Sequence, residues 1–312
     1  MAKKRRNPYF LRYVRYPLES AGLYLALGIL SCLPIDSASN LGGWLGRNIG
    51  YRLGVTRRAK RNLKLAFPEK PEQEIDQIAK DMWDNLGRVA AEYGFLGEIC
   101  DPKSGRVELV DVHGSAILDP DRYPCIAASG HLANWEVMPV SAASYGVPIT
   151  TIIRDPNNPM VRDKLHRLRI VAGGSLASKG PEGAKLAMAA LRDKKVLGIL
   201  VDQKFNEGIE VPFFGYPAKT ATAAAQFTLR YKSRLLPIRL ERTGPARFRI
   251  TCYPEIEPPN SGKLKDDVEI MVRQLTETLE GWIRERPAEW LWLHRRWPDR
   301  VYQEAAQKGL LS

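Results

Sequence analysis

Short β-rich runs and helix-period stretches alternate through the last two thirds of this chain. The runs lie at 106–112, 123–129, 147–153, 196–201, 234–240 and 246–253. Between and after them, helical spacing of apolar residues covers 134–144, 158–171, 181–193, 219–232 and 264–285. A strand buried on one face must cover it with something, and the segment that follows four of these six runs has the period of a helix. The expected class is therefore α/β, a mixed sheet flanked by helices. Two further helices are expected upstream, over 37–54 and 72–98. In the second, Ile75, Ile78, Met82, Leu86, Val89 and Tyr93 recur at helical spacing. With 312 residues, 44% of them hydrophobic, such a fold can bury a core without disulfides or metals.

Charge is distributed unevenly. Residues 1–64 hold thirteen Lys/Arg and two Asp/Glu, so this segment carries +11 of the net +12 and the remaining chain is nearly neutral. An apolar run of thirteen, AGLYLALGILSCL at 21–33, sits inside the basic stretch. It falls short of the ~20 residues that span a bilayer, and no small-x-small cleavage site follows it cleanly. The expectation is an uncleaved membrane-associated helical segment over 1–64, followed by a catalytic domain over 65–312. Anionic headgroups attract each Lys or Arg near the surface by roughly 1 kcal/mol. Nucleic acid, the rival partner of a basic arm, is not expected, because the charges alternate with apolar residues and no zinc-finger spacing occurs.

Gly42, Gly46, Gly50 and Gly54 fall four apart, a small-residue stripe suited to close helix packing within the protein, with dimerisation in a membrane as the lesser reading. Cys32, Cys100, Cys125 and Cys252 are widely spaced and form no Cys-x-x-Cys pair, which points to reduced thiols. His113, His166 and His294 share no ligand spacing, so no metal is expected. No Gly-x-Ser-x-Gly elbow exists, which removes a serine hydrolase.

The chemistry centres on Gly130-His131-Leu132-Ala133-Asn134-Trp135-Glu136. It follows the apolar run PCIAAS, so His131 stands at the carboxyl end of a strand, where open α/β sheets bind ligands. His131 and Glu136 would be about 140° apart on a regular helix. They can meet only if His131 precedes the helix and Glu136 opens it. A carboxylate on one ring nitrogen would then fix the tautomer and leave the other nitrogen to act as base.

This segment closely resembles the signature of the lauroyl/myristoyl acyltransferases of lipid A synthesis, part of a wider lysophospholipid acyltransferase group. Four other blocks carry the resemblance in the same order: RRAKRNLKLAFPE (57–69), IIRDPNNP (152–159), LVDQKFNEGIEVPFFGYPAKTAT (200–222) and EWLWLHRRW (289–297). Ile153 and Asp155 depart from the tyrosine and proline usual in the second of these blocks. The resemblance implies an acyltransferase-like fold and an O-acyl transfer that needs no cofactor. Acyl carrier protein would be the donor, with coenzyme A as the other choice. The acceptor would be a lipid A precursor, at the cytoplasmic face of a bacterial inner membrane. It makes His131 the general base and Glu136 its orienting partner. Arg154 would bind phosphate or steady an oxyanion. Asn134 and Trp135 would shape the turn and the acyl path, and Asp202 and Gln203 would lie toward the substrate. Other acceptors in the same chemistry are a phosphatidylinositol mannoside, a lysophospholipid or an ornithine lipid. A basic membrane-binding protein without catalysis is the reading from another class.

Overall fold

The computed structural model describes residues 8–111, 117 and 119–311. Helical turns at Pro8–Phe10 and Leu11–Arg15 lead into α1 (Tyr16–Ser31). Then come α2 (Ile35–Asn48), α3 (Thr56–Ala66), α4 (Glu72–Glu92), β1 (Val107–Asp111), β2 (Cys125–Ser129), α5 (Val137–Ser144), β3 (Ile149–Ile153) and α6 (Pro159–Arg169). The chain continues with β4 (Ser175–Ser178), α7 (Pro181–Arg192), β5 (Val196–Leu200), β6 (Lys204–Phe213), β7 (Tyr216–Thr220) and α8 (Ala223–Tyr231). It finishes with β8 (Arg234–Gly244), β9 (Arg247–Cys252), α9 (Leu264–Glu285) and α10 (Asp299–Gln307).

Seven strands form one sheet in the order β1-β9-β8-β2-β5-β3-β4. All neighbours run parallel except the β8–β9 hairpin, which makes the sheet mixed. β6 and β7 pair separately as an antiparallel ribbon. β2 lies between β8 and β5 with both faces covered, which is why its sequence is a continuous apolar run. Successive residues feed opposite cores. Ile126 and Leu197 join one cluster with Leu63, Met82, Leu275 and Trp282. Cys125 and Val196 join the other with Leu96, Val137, Leu236 and Phe248.

The strands and helices expected from the alternation are present, with ends shifted by a few residues. β4 and the β6–β7 ribbon were not expected. The ribbon takes in Lys219 and Thr220, the expected start of the helix that begins at Ala223. His113 and Val112 lie outside the described residues.

The glycine stripe packs α2 against α4. A methyl group on Gly46 would lie 2.0 Å from the Trp83 carbonyl oxygen, and one on Gly87 would lie 2.0 Å from that of Gly42. The backbones therefore touch, and only glycine allows it. Farther along, α3 sends Ala59 and Leu63 into the main core. Asn62 donates to the carbonyls of Trp292 and His294, both at 2.6 Å. The packing thus does not divide at residue 64: α2 and α3 belong to the body, because their buried faces are completed by α4 and the C-terminal segment.

With its glycines turned inward, α2 presents Leu41, Trp44 and Leu45 to the outside, and α1 adds Leu18, Tyr24, Leu25 and Ile29. No helix among the described residues is long and apolar enough to cross a membrane. Trp290, Trp292 and Trp297 are fully buried in the core.

Candidate active site

His131 follows β2 in a turn that the rest of the chain pins from three sides. Gly130 lets it pass close to Leu279 and Asp202, which a methyl group would meet at 3.2 and 3.4 Å. Leu132 forms an antiparallel bridge with Trp290. The Leu291 N–H donates to the His131 carbonyl at 3.2 Å, and the Ala133 N–H donates to the Glu289 carbonyl at 3.0 Å. Ala133 takes a positive φ of 47°, and Asn85 donates to its carbonyl at 3.0 Å. The turn runs on through Glu136, and α5 begins only at Val137.

This turn decides the partner of His131. The ring Nδ1 donates to Asp202 Oδ1 at 2.8 Å, and the His131 backbone N–H donates to Asp202 Oδ2, also at 2.8 Å. Asp202 follows β5, the strand beside β2, so neighbouring strand ends deliver both groups. The Trp290 indole N–H donates to Asp202 Oδ2 at 2.7 Å. Burial alone would raise the Asp202 carboxyl. His131, by its hydrogen bonds and by its charge when the ring is protonated, outweighs it together with the indole bond and holds the carboxyl well below the ordinary range.

Gln203 lies on the other side of the ring. Its amide nitrogen is 3.1 Å from His131 Nε2 and 3.1 Å from His294 Nε2. One NH2 group can donate to both imidazoles when each presents Nε2 as acceptor. That tautomer of His131 is the one that carries its proton toward Asp202. Burial pushes His294 down to about 4, and the positive charges of Arg154 and Arg58 act in the same direction.

Glu136 is held elsewhere. Arg169 Nε donates to its Oε2 at 2.7 Å and Nη2 to its Oε1 at 2.6 Å. The Tyr93 hydroxyl and the Trp135 indole N–H also donate to this carboxylate. Burial, then the Glu136 charge, raises the Tyr93 phenol well above its usual value. Burial opposes the Arg169 charge, but Glu136 overcomes it and keeps the guanidinium protonated. The expected His131–Glu136 pair is therefore replaced by two pairs, His131–Asp202 and Glu136–Arg169. The positive φ at Ala133 and the late start of α5 aim the Glu136 carboxylate at α6.

These groups border a cavity of about 920 Å³. His131, Trp135, Glu136, Arg154, Arg169 and Gln203 line it, together with apolar residues such as Met138, Val147, Ile149, Ile238 and Ile250. Two expected substrate residues do not. Asp202 stands behind His131. Asn134 is fully buried and donates to Glu92 Oε2 at 2.9 Å, where Glu92 already holds Arg242 and Ser39. Asn134 thus fixes the turn and is not placed to touch a ligand. Sequence reasoning gave Tyr93, Trp290 and His294 no part in the site. EWLWLHRRW was noticed as a block, and it supplies two of them. No group of His, Cys, Asp and Glu able to hold a metal occurs among the described residues.

A buried His–carboxylate pair beside an apolar cavity suits deprotonation of a hydroxyl for attack on an acyl group. The family model for bacterial lipid A biosynthesis acyltransferases matches residues 6–299. The chain is 25% identical to a lipid A biosynthesis lauroyltransferase of Escherichia coli, over 93% of this chain and 94% of that protein. It is 26% identical to the lipid A biosynthesis myristoyltransferase of the same species, over 80% of this chain and 77% of that protein. A crystal structure of the 1-acyl-sn-glycerophosphate acyltransferase of Thermotoga maritima is similar at a TM-score of 0.36 and 12% identity, covering 85% of this chain and 98% of that one. The chain is an acyltransferase and belongs to the bacterial lipid A biosynthesis acyltransferase family.

Proposed function

We propose that this protein transfers a fatty acyl chain from an acyl carrier protein thioester to a hydroxyl of a lipid A precursor, at the cytoplasmic face of the inner membrane. The observation that carries the reading is the His131–Asp202 pair on the wall of a large apolar cavity. His131 Nε2 takes the proton of the acceptor hydroxyl as its oxygen attacks the thioester carbonyl. Asp202 keeps Nδ1 protonated and stabilises the imidazolium that forms. The tetrahedral intermediate collapses, the C–S bond breaks, and the proton passes from His131 to the departing thiolate. The new ester remains on the acceptor, and no acyl-enzyme is needed.

In this reading the hydroxyl takes the place of the Gln203 amide at Nε2, and Gln203 turns its donors toward His294 and the substrate. The apolar wall receives the acyl chain, at about 0.8 kcal/mol per buried methylene. Glu136 and Arg169 hold the shape of the wall and are positioning residues. The membrane assignment is supported by the exposed apolar side chains of α1 and α2 and the basic residues between α2 and α4. Trp44 and Leu45 would sit among the acyl chains, and Arg52, Arg57 and Arg61 at the headgroups.

The deciding experiment is mass spectrometry of lipid extracts from cells with and without the protein. Added acyl mass on lipid A, absent with His131→Ala and with Asp202→Asn, is the expected result. An unchanged lipid A with a shift in another membrane lipid would replace the acceptor. Equal acylation by His131→Ala would remove the mechanism.

A further inference from the structure

The charged residues lining the cavity are His131, Glu136, Arg154, Arg169, Lys179 and Lys204. Glu136, the one acid among them, is already neutralised by Arg169 at 2.6 Å. Arg154, Lys179 and Lys204 have no carboxylate partner among the described residues. The acids nearest to them in sequence are turned to other groups, Asp155 to His166 at 2.7 Å and Glu182 to Lys185 at 2.8 Å.

The sheet brings the three cations to one edge. β3 and β4 are parallel neighbours whose last paired residues are Ile153 and Ser178. Arg154 and Lys179 follow at once, and the Lys179 N–H donates to the Ile153 carbonyl at 2.9 Å. Lys204 opens β6 two residues after Asp202, at the end of β5, which pairs with β3. The Lys179 ammonium lies 5.4 Å from the centre of the Phe205 ring, which joins the base of the ribbon to the end of β4. The cavity is thus lined largely by apolar side chains and carries, at the carboxyl ends of its strands, three cations with no carboxylate partner among the described residues. Arg154 and Lys179 are exposed and Lys204 is half-buried; like charges gathered at the border of a low-dielectric cavity focus a positive field that attracts an anion.

We propose that Arg154, Lys179 and Lys204 form a phosphate subsite of the acyl-transfer cavity, specific for a phosphate monoester or diester carried by one of the two substrates. This rests on the proposed function for the site itself, and adds to it Lys179 and Lys204 and the chemistry they select. The distance from the base narrows what is bound. Neighbouring strands are about 4.8 Å apart. In the order β2-β5-β3-β4, Lys204 follows the strand beside the one that carries His131, whereas Arg154 and Lys179 end strands about 10 and 14 Å from it. A phosphate held at the Arg154–Lys179 end of this row lies several bonds from the reacting hydroxyl, so the subsite sets which hydroxyl reaches His131. An acceptor headgroup phosphate and the phosphodiester of a pantetheine arm share this chemistry.

The test uses the full-length protein in detergent, wild type and Lys179→Ala/Lys204→Ala, with Lys204→Met as a second variant should the double one fold poorly. Inorganic pyrophosphate titrated calorimetrically should bind wild type and bind the variant about tenfold more weakly, a difference of about 1.4 kcal/mol. No binding to wild type, or equal binding to both, overturns the subsite. Kinetics with a phosphorylated diglucosamine lipid then separate the two sources. An acceptor KM raised about tenfold with little change in kcat, and equal for both proteins once the acceptor is phosphatase-treated, assigns the subsite to the acceptor. A raised donor KM that equalises with an acyl N-acetylcysteamine thioester assigns it to the pantetheine arm. Unchanged KM values for both substrates overturn the proposal. Failure of wild type to acylate this lipid counts against the lipid A reading alone, because the pyrophosphate titration reports on the cations without it.

Discussion

The Trp290 indole and the His131 backbone N–H donate to the same carboxylate oxygen, Asp202 Oδ2, at 2.7 and 2.8 Å. Both hold Asp202 in the orientation that leaves its other oxygen for the imidazole. Trp290→Phe keeps the aromatic packing against Phe213 and Trp292 and removes one bond. The expected outcome in steady-state kinetics is a kcat lower by about tenfold at constant KM, with about 1–2 kcal/mol lost in denaturant unfolding.

Asp202→Asn should act on chemistry far more strongly. The amide can present its NH2 to Nδ1 and so move the ring proton to Nε2, where the base is needed. A loss on the order of 10³-fold in kcat is expected, comparable to the same exchange in serine proteases. Retention of wild-type kcat would show that the His131–Asp202 bond does not orient the base.

Glu136→Gln gives a different signature. It leaves Arg169 charged and buried with half its partner gone, at a cost of about 3–5 kcal/mol. The fall in thermal midpoint should exceed that of Trp290→Phe. The acid limb of the pH–rate profile should keep its midpoint, since Glu136 makes no bond to His131. Glu136→Gln combined with Arg169→Met should recover much of the stability. A shifted acid limb in Glu136→Gln would instead place Glu136 in the proton path.

The depressed His294 makes stability depend on pH. Its folded value of about 4 lies below the ordinary imidazole value of 6.5, so the unfolded chain binds the proton more readily. Stability is full above pH 6.5 and falls as the pH drops toward 4, by on the order of 2–3 kcal/mol in all. Asp202, whose folded carboxyl is also depressed, extends the loss below the ordinary carboxylate range. Thermal midpoints measured between pH 7.5 and 4.5 should decline for wild type and flatten for His294→Gln. Parallel curves for the two proteins would exclude His294 as the source.

The contact between α2 and α4 is open to a clean comparison. Gly46→Ala puts a methyl group 2.0 Å from the Trp83 carbonyl oxygen, whereas Gly54→Ala meets nothing within 4 Å. The first should cost about 1–3 kcal/mol and the second less than about 0.5 kcal/mol in denaturant unfolding. Equal losses would show that the two helices do not meet backbone to backbone.

The sheet was legible because its central strands, such as Cys125–Ser129 and Val196–Leu200, are apolar runs set between helix-period segments. β4, with the sequence Ser-Leu-Ala-Ser, carries too little apolar character to be seen. The β6–β7 ribbon was hidden because Glu207, Glu210 and Pro212 interrupt its alternation. His131 could be placed from its position at a strand end, as could Asp202. Their partnership could not, because it depends on which strands are neighbours, and β2 and β5 lie 71 residues apart at these positions. Spacing along the chain favoured Glu136, and one residue with positive φ redirected it. Lys179 and Lys204 carry no local signal at all, since their common edge exists only in the folded sheet.

The strap at 289–294 ties the end of the catalytic segment to its beginning. Glu289, Trp290 and Leu291 each bond to the turn at His131 or to Asp202, and His294 reaches it through Gln203. A chain still under synthesis, with this strap not yet released, holds a histidine whose turn is unpinned and whose carboxylate lacks one donor. Reactive thioesters would meet no competent base on such a chain. Proteolytic clipping ahead of Glu289 would take away these contacts together with Trp290, Trp292 and Trp297, so the base and much of the main core would be lost together.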